Sequence, residues 1–109
     1  MKINGTNIYM TRGDTEPLSV SCPDRPFIAG DMVELTVRQF DGMGPVLIYK
    51  KVDVFSDGKA LITLEPQDTE KLPFGEASYD VQATFTDLGV KTIIKPSKFV
   101  IGKENTYAD

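Results

Sequence analysis

Leu61-Ile62-Thr63-Leu64-Glu65-Pro66-Gln67-Asp68-Thr69-Glu70-Lys71-Leu72-Pro73-Phe74-Gly75-Glu76-Ala77-Ser78-Tyr79-Asp80-Val81-Gln82-Ala83-Thr84-Phe85 is the stretch that decides the fold. From Ala77 to Phe85 every odd position is apolar or aromatic and every even one is polar, the period of a strand buried on one face. Leu61–Leu64 is a short apolar strand. Between the two, Pro66 suits a first helical position, Asp68 and Glu70 lie early and Lys71 lies late. This spacing predicts about two helical turns over Pro66–Leu72.

Outward from this stretch the chain repeats short alternating segments separated by turn residues. Lys2–Met10 is a weak opening strand that ends at Thr11-Arg12-Gly13-Asp14-Thr15. Leu18, Val20 and Cys22 alternate with serines and stop at Pro23. Pro23–Asp31 is a loop with Phe27 and Ile28 tucked beneath it. Val33, Leu35 and Val37 alternate with Glu34, Thr36 and Arg38, and Phe40-Asp41-Gly42-Met43-Gly44-Pro45 is a turn. Val46–Phe55 follows as a long strand, apolar on both faces over Val46–Tyr49, so both faces are expected to be covered there. Asp57-Gly58 accepts the positive φ values of a two-residue turn, so Ala60–Leu64 is expected to pair antiparallel with the end of Val46–Phe55. After Phe85, Asp87-Leu88-Gly89 turns the chain into Val90–Lys95. Pro96 is expected to break that strand before a last segment, Phe99–Ile101, and a polar tail over 102–109.

About seven strands at roughly ten-residue spacing is the pattern of an immunoglobulin-like antiparallel β-sandwich. Tyr79 lies just after the corner, near the start of the penultimate strand, where such folds place a tyrosine whose hydroxyl bonds back to the preceding connection. Val81 stands where an antibody domain has its second cysteine, and the chain has no Trp. It is therefore not an antibody-type domain.

At 109 residues the chain makes one domain, long enough to bury roughly two-thirds of its unfolded surface. Its hydrophobic fraction of 40% and charged fraction of 26% are those of a folded globular chain. The net charge of −4 argues against a duplex nucleic-acid partner, whose phosphates demand Lys and Arg, and Lys50-Lys51 is the longest basic run. The N-terminus lacks an apolar signal core and no window approaches ~18 apolar residues, so synthesis in a cytoplasm and no membrane insertion are expected. Cys22 is the single cysteine, which excludes an internal disulfide and fits a reducing compartment.

The chain has no histidine, which removes imidazole acid–base catalysis, Ser-His-Asp and Cys-His nucleophiles and His-liganded metals together. Asp53, Asp57, Asp68, Asp80 and Asp87 could in principle supply a carboxylate pair, but most sit where turns, helix starts or solvent-facing strand positions favour Asp. The spacing of Asp53 and Asp57-Gly58 does not match a calcium-binding loop. Cys22 alternates in phase with Leu18 and Val20 and reads as a small buried apolar residue. Arg12-Gly13-Asp14 spells an integrin-recognition tripeptide, yet a tight turn explains it better. Tyr9, Tyr49 and Tyr107 are the aromatics left over for glycan stacking. No catalytic residue, metal or cofactor is expected.

Five segments share an order and spacing: Met10-Thr11-Arg12-Gly13-Asp14-Thr15, Ala29–Arg38, Lys50-Lys51 before Asp57-Gly58-Lys59-Ala60, Leu64–Leu72, and Gly75–Gln82. Together they resemble the N-terminal immunoglobulin-like domain of baseplate upper proteins in phages and prophages of Gram-positive bacteria. The resemblance spans about Met10 to Ile101. It implies a non-enzymatic structural module, located in the virion tail or baseplate, whose partners are other tail and baseplate proteins, with homo-oligomerisation an open option. Arg12, Gly13, Asp14 and Tyr79 carry over as signature positions with structural roles, and Asp57, Gly58 and Asp68 fall within the shared segments. In such proteins a receptor-binding or linking portion usually follows the domain, whereas this sequence ends at Asp109. The alternative class is a small extracellular adhesion or carbohydrate-binding sandwich. Open edge strands would make the assembly contacts, with Lys2–Met10 and Lys98–Ile101 as the expected edges.

Overall fold

Proline and aspartate start the corner where the sequence puts them. The computed structural model describes residues 1–39 and 43–103, and Pro66 opens a single-turn helix, α1 (Pro66–Thr69). Glu65 precedes it in extended geometry and its backbone N–H donates to Asp68 Oδ2 at 2.7 Å, satisfying an amide at the helix entry. The helix is shorter than the expected Pro66–Leu72. It stops at Thr69, which is fully buried, and Pro73 disfavours helical geometry at Leu72. Glu70 caps the helix, its N–H donating to the Pro66 carbonyl at 3.0 Å, and a turn closed by Leu72 N on the Thr69 carbonyl (2.9 Å) completes the corner.

The strands are β1 (Lys2–Asn4), β2 (Asn7–Thr11), β3 (Glu16–Val20), β4 (Met32–Arg38), β5 (Val46–Val52), β6 (Ala60–Leu64), β7 (Gly75–Phe85) and β8 (Gly89–Gly102). Six form one mixed sheet in the order β1-β2-β8-β7-β4-β5, and β3 pairs with β6 in a second sheet. The chain is an all-β sandwich with one short helical corner, as the sequence predicts, and its two layers are unequal. One pair is parallel: β2 runs alongside the end of β8, Ile8 beside Phe99 and Thr11 beside Gly102. The alternation of β7 is realised in burial, with Ala77, Tyr79, Val81, Ala83 and Phe85 all buried. They meet Ile8 and Met10 from β2, Val33, Leu35 and Val37 from β4, and Leu18, Val20, Ala60, Ile62 and Leu64 from the smaller sheet in one core.

Several expectations change. The opening strand is a hairpin, not one strand, because Gly5 at φ 63° starts a two-residue turn that sets Asn4 opposite Asn7. The Asp57-Gly58 turn forms, with φ 54° and 71° and Ser56 bridged to Lys59. It does not join two strands of one sheet. β6 pairs instead with β3, from Val20 opposite Ala60 to Glu16 opposite Leu64. The chain changes layers between Val52 and Ser56, where Phe55 stacks on Phe27 at 5.2 Å and Phe27 on Phe85 at 5.7 Å. Gly58 then packs against the 23–31 loop: its carbonyl accepts from Phe27 N at 3.0 Å, and a Cβ there would lie 2.6 Å from Pro26 Cβ.

β5 is an edge strand covered on one face only, with Ile48 buried while Val46 and Tyr49 are about half exposed. Pro96 does not end β8. It sits in a bulge where Lys95 and Pro96 together oppose Asp80, and pairing resumes at Tyr79–Ser97. Lys98–Ile101 is consequently interior, between β7 and β2, and only β1 of the opening segment is an edge. Gly102 belongs to β8 rather than to a tail, and accepts from Arg12 N at 3.0 Å. Strand β3 ends at Val20, leaving Cys22 half-buried against the core instead of inside it. Phe27 is tucked in, but Ile28 is 54% exposed. Phe40, Asp41 and Gly42 of the expected turn lie outside the described residues, as do residues 104–109 of the expected tail.

Tyr79 is buried, with its ring edge-on to Phe99 at 6.1 Å. Its hydroxyl does not bond back to the 66–74 corner; it donates to the Thr6 carbonyl at 2.5 Å, 73 residues away, and so pins the β1–β2 turn to the sheet. Tyr79→Phe is expected to cost about 1 kcal/mol in urea unfolding, because the freed Thr6 carbonyl lies in a turn that water can reach. Amide exchange at Asn4 and Asn7, the hydrogen-bonded pair that closes the turn, is expected to speed up in the same variant, and unchanged exchange there would show that the hydroxyl does not hold the hairpin.

Candidate interaction surface

The signature positions gather at three places. Arg12, Gly13 and Asp14 form the turn after β2 and dock onto the α1 corner. Gly13 N donates to Thr69 Oγ1 at 2.9 Å, and the Arg12 guanidinium lies 3.9 Å from the centre of the Phe74 ring while donating to the Leu72 carbonyl at 3.3 Å. Asp14 N closes the turn on the Thr11 carbonyl at 3.2 Å and its side chain is exposed. Arg12 is therefore committed to the corner, and the tripeptide is a turn in which the arginine and aspartate do not project together. Asp68 belongs to the same corner: besides capping Glu65 N, its carboxylate pairs with Lys50 Nζ at 2.7 Å, tying α1 to β5. Asp57 and Gly58 lie apart, against the 23–31 loop, and Tyr79 sits over the opening hairpin.

A strong electrostatic cluster escaped the sequence reading. The Arg25 guanidinium donates to both oxygens of Asp31 (2.7 and 3.0 Å) and to Asp87 (3.0 and 3.2 Å), and lies over Phe85 at 4.8 Å. Asp31 is buried and also accepts from Ile28 N at 2.8 Å and Thr86 N at 2.9 Å. Hydrogen bonding from Arg25 is the main reason its carboxyl is held well below the usual carboxylate range, and with the two amides it outweighs the burial that pushes the other way. The same guanidinium lowers Asp87, and the two carboxylates raise Arg25. The signal available in the sequence was Arg25 between Pro23 and Pro26 in a loop that ends on an aspartate directly before a strand.

The five aspartates considered as a carboxylate pair are scattered. Asp87 is held by Arg25, Asp68 by Lys50, Asp57 is in its turn, Asp80 faces Thr36 across β7 and β4, and Asp53 lies in the crossing between layers. Among the described residues no group of three or more His, Cys, Asp or Glu is placed to hold a metal ion. No helix among them is long and apolar enough to cross a membrane. Tyr9 and Tyr49 are not brought together, since β8, β7 and β4 separate their strands, and Tyr107 lies outside the described residues. Tyr49 donates instead to Glu34, a bond that raises its hydroxyl pKa. A cleft of about 340 Å³ lies between the opening hairpin and β7–β8. Its polar groups are already engaged with one another: Thr6 with Ser97 at 2.6 Å, Asn7 with Lys98 N at 3.0 Å, and Glu76 with Lys98 Nζ at 3.5 Å.

What the fold offers a partner is strand edge. β1 and β5 bound the large sheet, β3 and β6 each have one open side, and β8 between Gly89 and Lys95 extends beyond the reach of β2. Exposed apolar side chains accompany these edges: Ile3, Val46, Tyr49, Leu61 and Val90. Backbone donors and acceptors along such edges can bind another strand. Comparison of the chain with protein-family models, with curated proteins and with solved structures finds no match in any of the three.

Because the Asp31 carboxyl is lowered in the folded chain, its contribution to stability is fully present above the ordinary carboxylate value of about 3.9 and is lost as pH falls below it. Wild-type urea midpoints are expected to drop on going from neutral pH to below pH ~4. Asp31→Asn should lower the midpoint at neutral pH, more than Asp87→Asn does, and flatten that acid dependence. An unchanged acid limb in Asp31→Asn would assign the dependence to other carboxylates.

Proposed function

We propose that this protein is a non-enzymatic structural module of a phage or prophage tail or baseplate, acting by protein–protein contacts. The observation that carries the reading is the unequal sandwich, in which a two-stranded layer faces a six-stranded one and leaves several strand edges open to neighbours. Symmetric organelles are built by repeating such contacts, and edge strands supply them from backbone groups that any neighbouring strand can match. The ordered series of segments from Met10 to Ile101 supports the tail or baseplate setting. The acidic side chains fit the structural role, since Asp68, Asp31 and Asp87 are spent on ion pairs that fix loops.

Mass spectrometry of particles purified after prophage induction of the source organism tests this directly. The chain is expected to travel with the tail proteins in stoichiometric amount. Its absence from particles that contain the other tail proteins would overturn the virion role and favour an independent binding module.

A further inference from the structure

Asn4-Gly5 forms the first corner of the chain, and its chemistry differs from that of the other turns. An asparagine followed by glycine can close on itself: the backbone N of the glycine attacks the side-chain amide carbon, and glycine has no side chain to hinder the approach. Both residues are exposed, and the space around Gly5 is open, with no atom within 4 Å of where a Cβ would stand. Gly5, at φ 63°, opens the two-residue turn and lies outside the pairing of β1 with β2, so its N is not part of the ladder. Asn7 is placed differently: its side-chain oxygen accepts from Lys98 N at 3.0 Å, and the residue after it is the branched, fully buried Ile8. Asp57-Gly58 has the related sequence but is clamped, with the Gly58 carbonyl accepting from Phe27 N at 3.0 Å and Pro26 packed where a Cβ would point.

We propose that Asn4 is a self-modification site, converted to aspartate and isoaspartate through a cyclic imide with Gly5, with water as the only co-reactant. Gly5 N forms a bond to Asn4 Cγ as it loses its proton, the Cγ–Nδ2 bond breaks, and the side-chain nitrogen leaves as ammonia. Water then opens the ring. Cleavage of the new Cγ–N bond leaves an aspartate in an unaltered main chain; cleavage of the original peptide bond leaves the main chain running through Cγ, one methylene longer. The fold controls the rate. In β1 the backbone of Asn4 is extended and its side chain stands off the sheet, away from the line of the chain, so ring closure requires the hairpin to open. The hairpin is held shut by its pairing with β2 and by two bonds at Thr6, whose carbonyl accepts from the Tyr79 hydroxyl at 2.5 Å and whose Oγ1 bonds Ser97 Oγ at 2.6 Å. The longer product no longer fits, because the register that sets Asn4 opposite Asn7 depends on a turn of ordinary length. Conversion is therefore a one-way loosening of β1, the edge strand that flanks β2. It is a property of the chain itself and does not rest on the tail or baseplate setting, so its failure would leave that reading standing.

Peptide mapping by mass spectrometry tests it on the full chain, aged in mildly alkaline buffer and sampled over time beside a synthetic Met1–Met10 peptide. The mass gain that marks loss of ammonia and uptake of water is expected at Asn4 and not at Asn7, and enzymatic methylation of isoaspartyl carboxyls reads the share of the longer product. The wild type should convert more slowly than the peptide. Tyr79→Phe combined with Ser97→Ala should convert about fivefold faster than the wild type, the factor that loss of one neutral hydrogen bond from the closed hairpin corresponds to. Urea midpoints of the double variant check that the sheet itself stays folded under the ageing conditions. Asn4 that stays intact in both proteins while the peptide converts, or a rate unmoved by the two changes, overturns the proposal.

Discussion

A six-stranded sheet covered by only two strands keeps its inner face dry only if its margins are closed by something other than strands. That constraint organises this molecule. At one end, Phe27 lies between Phe55 and Phe85, and the 23–31 loop that carries it is held down by Arg25 and Asp31. At the other, the Arg12–Asp14 turn lies on the α1 corner through Thr69, Leu72 and Phe74. Along the side between β5 and β6, the Lys50–Asp68 pair spans from the large sheet to α1. Loops and a single helical turn thus do what further strands would do in a sandwich of equal layers, and each needs a polar fastening because it buries too little apolar surface to hold itself.

The fastenings differ in what they cost. Tyr79 to the Thr6 carbonyl is a neutral bond between an apolar-bodied side chain and a turn, so little is lost by burying it. Asp31 is a charge taken out of water, which is tolerated only because Arg25 and two backbone amides occupy its oxygens. A buried pair of that kind adds less net stability than its short distances suggest. Its bonds also tie the 23–31 loop down at one point, joining Arg25, Ile28 N and Thr86 N to a single carboxylate. Phe27 reaches its slot between two rings because Asp31 fixes the end of its loop.

Much of this was legible in the chain, and the line between what was and was not is physical. The alternation in Ala77–Phe85 and Val33–Val37 specified which side chains would be buried, because a strand with one covered face has no other solution. Asp57-Gly58 specified its own turn, and Pro66 with Asp68 its own helical start, since each depends on a few adjacent residues. What was missed depends on partners far away in sequence. A turn fixes the reversal of the chain but not the sheet that receives it, so β6 was expected beside β5 and is found beside β3. Tyr79 was assigned a bond to the nearby corner and makes one with the first turn of the chain. Arg25 and Asp31, six residues apart in a loop, gave no periodic signal at all.

Pro96 shows why the meaning of a local signal waits on topology. In sequence it marks a break between Val90–Lys95 and Phe99–Ile101, and taken alone that inference is sound, since proline cannot donate to a ladder. In place, β8 at Pro96 has a strand partner on one side only, so the missing N–H can point away from the pair, and a bulge absorbs the fixed φ without ending the strand. The same reasoning applies to Pro17 in β3 and to the paired Lys50 in β5: each is tolerable because its strand is an edge, and each makes that edge less adhesive. Such residues cluster on the long open sides of the large sheet and on β3, while β6 has none. What β6 has instead is Ser56 of the 56–59 turn, which pairs with Lys59 through two backbone bonds and covers the start of the strand where the chain crosses from the other layer.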